Sequence, residues 1–122
     1  MALAALLDIH RQFAWFVVVG NGLAGVWAIG AHFWKPLRHR TLWWFTWVVE
    51  VAILAQATLG VVVQEHDNIE APQFHTFYGF VAIISVAIIY AYRHQLEAHR
   101  YLLYGGGGLF LMGLGIRAMV LA

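Results

Sequence analysis

The protein has 122 residues, of which 62% are hydrophobic and only 11% are charged. A soluble domain carries about a quarter charged residues, and so small a chain has too much surface to hide this much apolar material from water. The net charge of +1 provides no attraction to nucleic acid, and the absence of cysteine excludes disulfides, thiolate metal sites and covalent haem attachment.

Four apolar stretches are each long enough to cross a hydrocarbon core about 30 Å thick, which takes about 20 helical residues. The stretches do not show the alternation of polar and apolar residues that is typical of strands. In lipid, the backbone must also form its hydrogen bonds within the segment, so we predict helices. The predicted spans are residues 13–34, 42–63, 74–92 and 101–121. Short connections predict an all-α, up-down four-helix bundle, one transmembrane domain over residues 1–122.

The N-terminus lacks a basic segment and a small-residue cleavage site, so we do not expect a cleaved signal peptide. Residues 2–9 are apolar and either extend the first helix or lie flat on the membrane surface. Pro36 cannot continue a helix interior and is expected to end the first span. The glycine run at 105–108 lies inside the fourth span, where glycine permits close helix contact.

The charges of the connections predict the orientation. The first connection, residues 35–40, and the third, residues 93–100, are basic, whereas the second, residues 64–73, has acidic residues and no Lys or Arg. The positive-inside rule places the basic connections in the cytoplasm and both termini outside. Tryptophans and tyrosines cluster near the cytoplasmic interface, as aromatic belts do. They are Trp34, Trp43, Trp44, Trp47, Tyr90, Tyr92, Tyr101 and Tyr104.

Two histidines begin helices on the outer side. His10 opens the first helix above a stripe of small and polar residues that includes Asn21, and His75 opens the third helix above Gly79. A flat macrocycle held by two axial imidazoles needs such a pair above small residues, so His10 and His75 are candidate ligands of haem b. The alternative is that both histidines merely lie at the membrane interface.

Arg11 and Arg117 are the basic residues of the outer side, and Arg117 lies at a depth close to that of His75. A buried arginine needs a carboxylate partner. Haem propionates would serve, as would a protein carboxylate; the other possibility is that the side chain extends to the interface. The protein carboxylates considered are Asp8, Glu65, Asp67 and Glu70.

Gln56 and Gly60 lie one turn apart on one face of the second helix, with Gln64 one turn further. Gln56 is a candidate for orienting an imidazole by hydrogen bonding, or it bonds to neighbouring backbone. Glu50, nearer the middle of the same helix, is a candidate for proton relay or quinol binding, or forms a structural hydrogen bond to another helix.

The remaining histidines are weaker candidates. His32 and His94 lie at the cytoplasmic ends of the two helices that begin at His10 and His75, where a second haem is conceivable. Three more, His39, His66 and His99, lie in connections and are expected to be solvated. No Ser-His-Asp set, carboxylate pair or phosphate loop is evident in the sequence, so independent catalytic activity is not expected.

The order of these features resembles one four-helix half of the heme A synthase family. Residues 8–11 read DIHR, residues 56–60 read QATLG, and His75 follows Phe74 at the start of the third helix. The family has an acidic residue with His-Arg, then Gln-x-x-Leu-Gly, then a second histidine. The resemblance covers residues 8–93 and implies that His10 and His75 ligate haem. It does not imply the synthase activity, because a lone half cannot house both a substrate haem and a cofactor haem.

In size and layout the chain also looks like small accessory membrane subunits of actinobacterial respiratory complexes. That likeness implies the plasma membrane of a bacterium and other membrane protein subunits as partners. Two functions are therefore expected as alternatives: a haem-binding electron-transfer or haem-handling protein, or a structural accessory subunit without a cofactor. A quinone-binding protein that uses Glu50 or a histidine is a third.

Overall fold

The computed structural model describes the backbone of residues 2–67 and 71–122 and the side chains of residues 5–65 and 71–122. Four long helices form: α1 (Ala2–Phe33), α2 (Arg40–Asp67), α3 (Gln73–Ala91) and α4 (Arg100–Val120). Short 3-10 turns at Lys35–Leu37 and Glu97–His99 precede α2 and α4. The described residues contain no strand, which confirms the all-α prediction. All four helices are long and apolar enough to cross a membrane.

The apolar N-terminus extends α1, which is one continuous helix from Ala2. At the other end of α1, Trp34 adopts an extended conformation with φ −134°, and Pro36 lies in the turn that follows. Proline has no N–H to donate and its ring excludes a preceding helical turn. The chain therefore reverses within a few residues and enters α2.

The helices run up and down, and their contacts define two ends of the bundle. At one end, which we call the histidine end, the start of α1 meets the end of α2, and the start of α3 meets the end of α4. At the opposite, aromatic end, Leu42 of α2 packs with Ala28 and Ala31 of α1, alongside Trp43 and Tyr101. This alternation agrees with the predicted topology and brings distant parts of the sequence together at each end.

Close packing of α1 against α4 is the firmest interface of the bundle. Gly25 and Gly108 make this possible: a Cβ built on Gly108 would be 2.9 Å from the Cα of Gly25 and 2.8 Å from the carbonyl oxygen of Asn21. No side chain fits in that space, so the two backbones touch. Small residues serve this purpose between membrane helices, where apolar surface alone provides little driving force for association.

In contrast, α2 and α3 touch each other little, and α3 packs chiefly on α4. Most of α3 is exposed, including large apolar side chains that lipid would cover. They include Phe74, Phe77, Phe80, Ile84 and Ile88. The bundle is therefore closed along α1 and α4 and more open between α2 and α3.

Candidate functional site

The imidazoles of His10 and His75 meet at the histidine end. Their ring centroids are 6.1 Å apart and the ring planes are nearly perpendicular, at 86°. Both side chains are partly buried. The two residues are 65 positions apart in the sequence and belong to α1 and α3, so the up-down topology is what brings them together.

The hydrogen bond of His75 determines the tautomer of its neutral imidazole. Its Nδ1 lies 2.6 Å from the carbonyl oxygen of Ala118 in α4. A carbonyl oxygen only accepts, so Nδ1 carries the proton and donates it. In a neutral imidazole the other nitrogen, Nε2, then has a free lone pair. Histidines that bind metals are commonly held by this kind of N–H contact to a carbonyl, which fixes the tautomer and the ring orientation.

His10 is held by α2. The Nε2 of Gln56 donates to the backbone carbonyl oxygen of His10 at 2.6 Å, so the amide lies beside the imidazole. Two buried atoms there lack a partner within hydrogen-bonding geometry: Nδ1 of His10 and Oε1 of Gln56. They are a donor and an acceptor once His10 carries its proton on Nδ1. Gln56 therefore forms the bond to neighbouring backbone, and its role in orienting an imidazole stays a prediction.

Two glycines shape the space around the rings in different ways. A Cβ built on Gly60 would be 3.1 Å from Cε1 of His10 and 3.5 Å from its Nε2, so the absence of a side chain on Gly60 lets the imidazole lie close to α2. A Cβ on Gly79, one turn along α3 from His75, would have no heavy atom within 4 Å. The α3 face below His75 is therefore open.

The two arginines of this end are exposed. The guanidinium of Arg117 lies over the ring of Tyr78, with Cζ 5.4 Å from the ring centroid. Tyr78 is on α3 one turn after His75, so this contact joins α4 to α3 at the histidine end. Arg11 follows His10 on α1 and points outward. The suggested partners Asp67 and Glu70, and His66, lie outside the described side chains.

Glu50 is buried, with 8% of its surface exposed, and lies in the middle of α2 away from the histidine end. Asn21 is more deeply buried, and its Nδ2 donates to the carbonyl oxygens of Val17 and Val49, at 2.8 and 3.2 Å. Asn21 therefore joins α1 to α2 as a structural hydrogen bond between helices.

Sequence reasoning missed two contributors to the site. Ala118 contributes its backbone carbonyl, a group that every residue has, so its residue type does not reveal the role. Tyr78 could have been found, because it lies at i+3 from His75 and so on the same helix face.

The donor set limits what the site can bind. Among the described residues no group of three or more His, Cys, Asp and Glu side chains is placed to hold a metal ion. A bare zinc ion in a structural site takes four protein ligands, and two histidines fall short of that number. An iron already held in a macrocycle needs only axial ligands, which two imidazoles can supply.

The chain matches no known protein family, and neither curated proteins nor solved structures yield a match. The geometry of this site and the sequence resemblance therefore carry the functional conclusion.

Proposed function

We propose that this is a haem-b-binding integral membrane protein acting in electron transfer or haem handling, with His10 and His75 as the axial ligands. The convergence of the two imidazoles is the observation that carries the proposal. Two imidazoles would have to approach each other this closely to share one haem iron, and the 6.1 Å between the ring centroids supports the assignment.

Three further features of the chain fit a haem. His75 is fixed by Ala118 in the tautomer that leaves Nε2 unprotonated. His10 has a buried Nδ1 without a partner, beside the amide of Gln56. The α3 face at Gly79 is open, and α2 and α3 pack little against each other. Arg11 and Arg117 are the cationic groups available to pair with the propionates.

When bound, a haem iron supplies one-electron transfer. The chain's own residues would hold and orient it, and the surrounding apolar helices would limit access of water. We further propose that the histidine end faces outward and the basic aromatic end faces the cytoplasm of a bacterial cell, by the positive-inside rule. A place in a respiratory membrane complex rests on the resemblance.

The exposed apolar face of α3 favours the second function, that of a structural accessory subunit without a cofactor. Large side chains such as Phe74, Phe77 and Phe80 are more than half exposed, and another membrane subunit would cover them as well as lipid does. Co-purification of a stoichiometric partner in mild detergent would support a subunit role, which is compatible with haem binding. A protein that purifies alone and crosslinks to no neighbour would contradict it.

The ligand assignment is tested with single variants. His10→Ala and His75→Ala are each expected to abolish the Soret band of the purified protein, while His99→Ala, an exposed histidine at the aromatic end, keeps it. Each variant is compared at equal protein concentration after its helix content is verified by circular dichroism. Unchanged haem content in both ligand variants would refute the assignment.

A further inference from the structure

The aromatic end contains a polar cavity that the haem proposal does not use. Its volume is about 390 Å³, and it lies between the end of α1, the turn before α2 and the start of α4. Its lining residues are His32, Arg38, Glu97, Ala98, Arg100 and Tyr101. The cavity is open at the surface, since Arg38, Glu97, Ala98 and Arg100 of its lining are exposed, which leaves it accessible to a lipid headgroup.

The two arginines are held in place around one aromatic ring. Nε of Arg38 donates to the carbonyl oxygen of Ala31 at 2.7 Å, and its Nη2 donates to that of His32 at 3.0 Å. Its Cζ is 4.8 Å from the Tyr101 ring centroid. Arg100 donates to the Tyr101 hydroxyl at 3.3 Å, and its Cζ is 5.1 Å from the same centroid.

These contacts orient the two guanidinium groups but do not use all of their N–H donors. A guanidinium has five N–H groups; Arg38 uses two of them on carbonyl oxygens and Arg100 uses one on a hydroxyl. Glu97 is the acidic side chain in the lining. Two guanidinium groups against one carboxylate leave one positive charge unbalanced. One phosphodiester, with a single negative charge and acceptor oxygens, balances that charge and matches those donors.

The position of the cavity selects the source of the phosphodiester. Trp43 packs against Tyr101 beside the cavity, with ring centroids 5.3 Å apart, and exposed Trp34 and Trp44 lie at the same end. Tryptophans and tyrosines mark the level of the lipid headgroups, and basic pockets at the ends of membrane helices bind anionic headgroups. We propose that this cavity binds the headgroup of an anionic phospholipid, with phosphatidylglycerol preferred over zwitterionic lipids.

The selectivity follows from the same charges. Phosphatidylglycerol neutralises the unbalanced charge, and its glycerol hydroxyls can donate to the Glu97 carboxylate. Phosphatidylcholine has no net charge and no headgroup donor. Phosphatidylethanolamine has a donor for Glu97 but leaves the positive charge unbalanced, so it should rank between the two.

The test is native mass spectrometry of the detergent-purified protein titrated with each of the three lipids, matched in their acyl chains. Phosphatidylglycerol should bind at one per chain, and Arg100→Gln should weaken it about fivefold, as expected for loss of one arginine near the headgroup. Arg38→Gln should weaken binding in the same way, but Arg38 also caps the end of α1. Arg100→Gln is therefore the decisive variant. Arg40→Gln, at the same end but outside the cavity lining, is the matched control and should leave binding unchanged.

Equal binding of phosphatidylglycerol and phosphatidylcholine, or no effect of Arg100→Gln, would overturn the proposal. Inorganic phosphate is the other source of the same chemistry. If millimolar phosphate alone displaces phosphatidylglycerol from the wild-type protein, the cavity is a site for free phosphate and the lipid assignment is wrong. Persistence of lipid binding in phosphate buffer supports it.

Discussion

Gly60 of α2 lies directly against the imidazole of His10, with the position of its missing Cβ 3.1 Å from Cε1 of the ring. A Cβ at that position would be closer to the ring than an ordinary van der Waals contact allows. The glycine therefore determines where the His10 ring can lie, and it relates the Gln-x-x-Leu-Gly pattern of α2 to the histidine of α1.

Gly60→Ala is expected to displace the His10 ring and weaken haem retention about tenfold, because relieving an overpacked contact costs about 1 to 3 kcal/mol. The measurement is haem per chain by pyridine haemochrome after extended washing in detergent. Gly113→Ala is the control, since a Cβ there meets no atom within 4 Å. Equal haem retention by the two variants would mean that the His10 ring position does not govern binding.

Gln56→Leu removes the hydrogen bond from α2 to the carbonyl oxygen of His10. We expect a loss of about 0.5 to 1 kcal/mol in the free energy of unfolding, the usual value for hydrogen bonds between membrane helices. The loss stays small because the variant also removes the unpartnered Oε1. Thr58→Ala is the control: its exposed hydroxyl bonds only to Leu54 of its own helix. Equal unfolding midpoints of Gln56→Leu and Thr58→Ala in SDS titration would mean that the Gln56 hydrogen bond does not stabilise the protein.

Gly108→Ala should disrupt the contact between α1 and α4. Its Cβ would be 2.9 Å from the Cα of Gly25, and backbone cannot move aside as a flexible side chain can. We expect destabilisation of about 1 to 3 kcal/mol, measured as a lower SDS or thermal unfolding midpoint. Gly106→Ala is the matched control on the same helix, because a Cβ there meets no atom within 4 Å. A midpoint for Gly108→Ala at or above that of Gly106→Ala would contradict the packing.

The sequence was sufficient to predict the four helices, because long apolar runs in lipid have few alternatives. It also predicted that His10 and His75 lie at one end, since alternating helices return there. It could not determine whether residues 2–9 continue α1, because a short apolar segment can also lie on the membrane surface.

The details of the site required the structure. The residue type of Ala118 gives no sign that its carbonyl accepts from His75. The run of four glycines is not uniform either: Gly108 contacts α1, whereas Gly106 is exposed. Only the helix rotation distinguishes them. Burial of Glu50 within the bundle likewise depends on rotation, because its neighbours on α2 are exposed at Val48 and Val51.

Orientation in the membrane is tested by cysteine labelling, which the cysteine-free chain permits without a prior background. In intact cells, Ala71→Cys and Ala122→Cys should react with a membrane-impermeant maleimide, because the acidic connection and the C-terminus are proposed to lie outside. His39→Cys and Gln95→Cys, in the two basic connections, should react only after the cells are permeabilised. The opposite labelling pattern would invert the topology and place the histidine pair on the cytoplasmic side.

The most direct test of the central claim is a reduced-minus-oxidised spectrum of the purified protein, with the haem quantified as its pyridine haemochrome. The axial pair proposed from the 6.1 Å approach of His10 and His75 predicts the sharp α-band of a six-coordinate b-type haem, at close to one haem per chain. Protein purified from cells with ample haem that shows no such band, and does not acquire one when haem is added, would contradict the proposal.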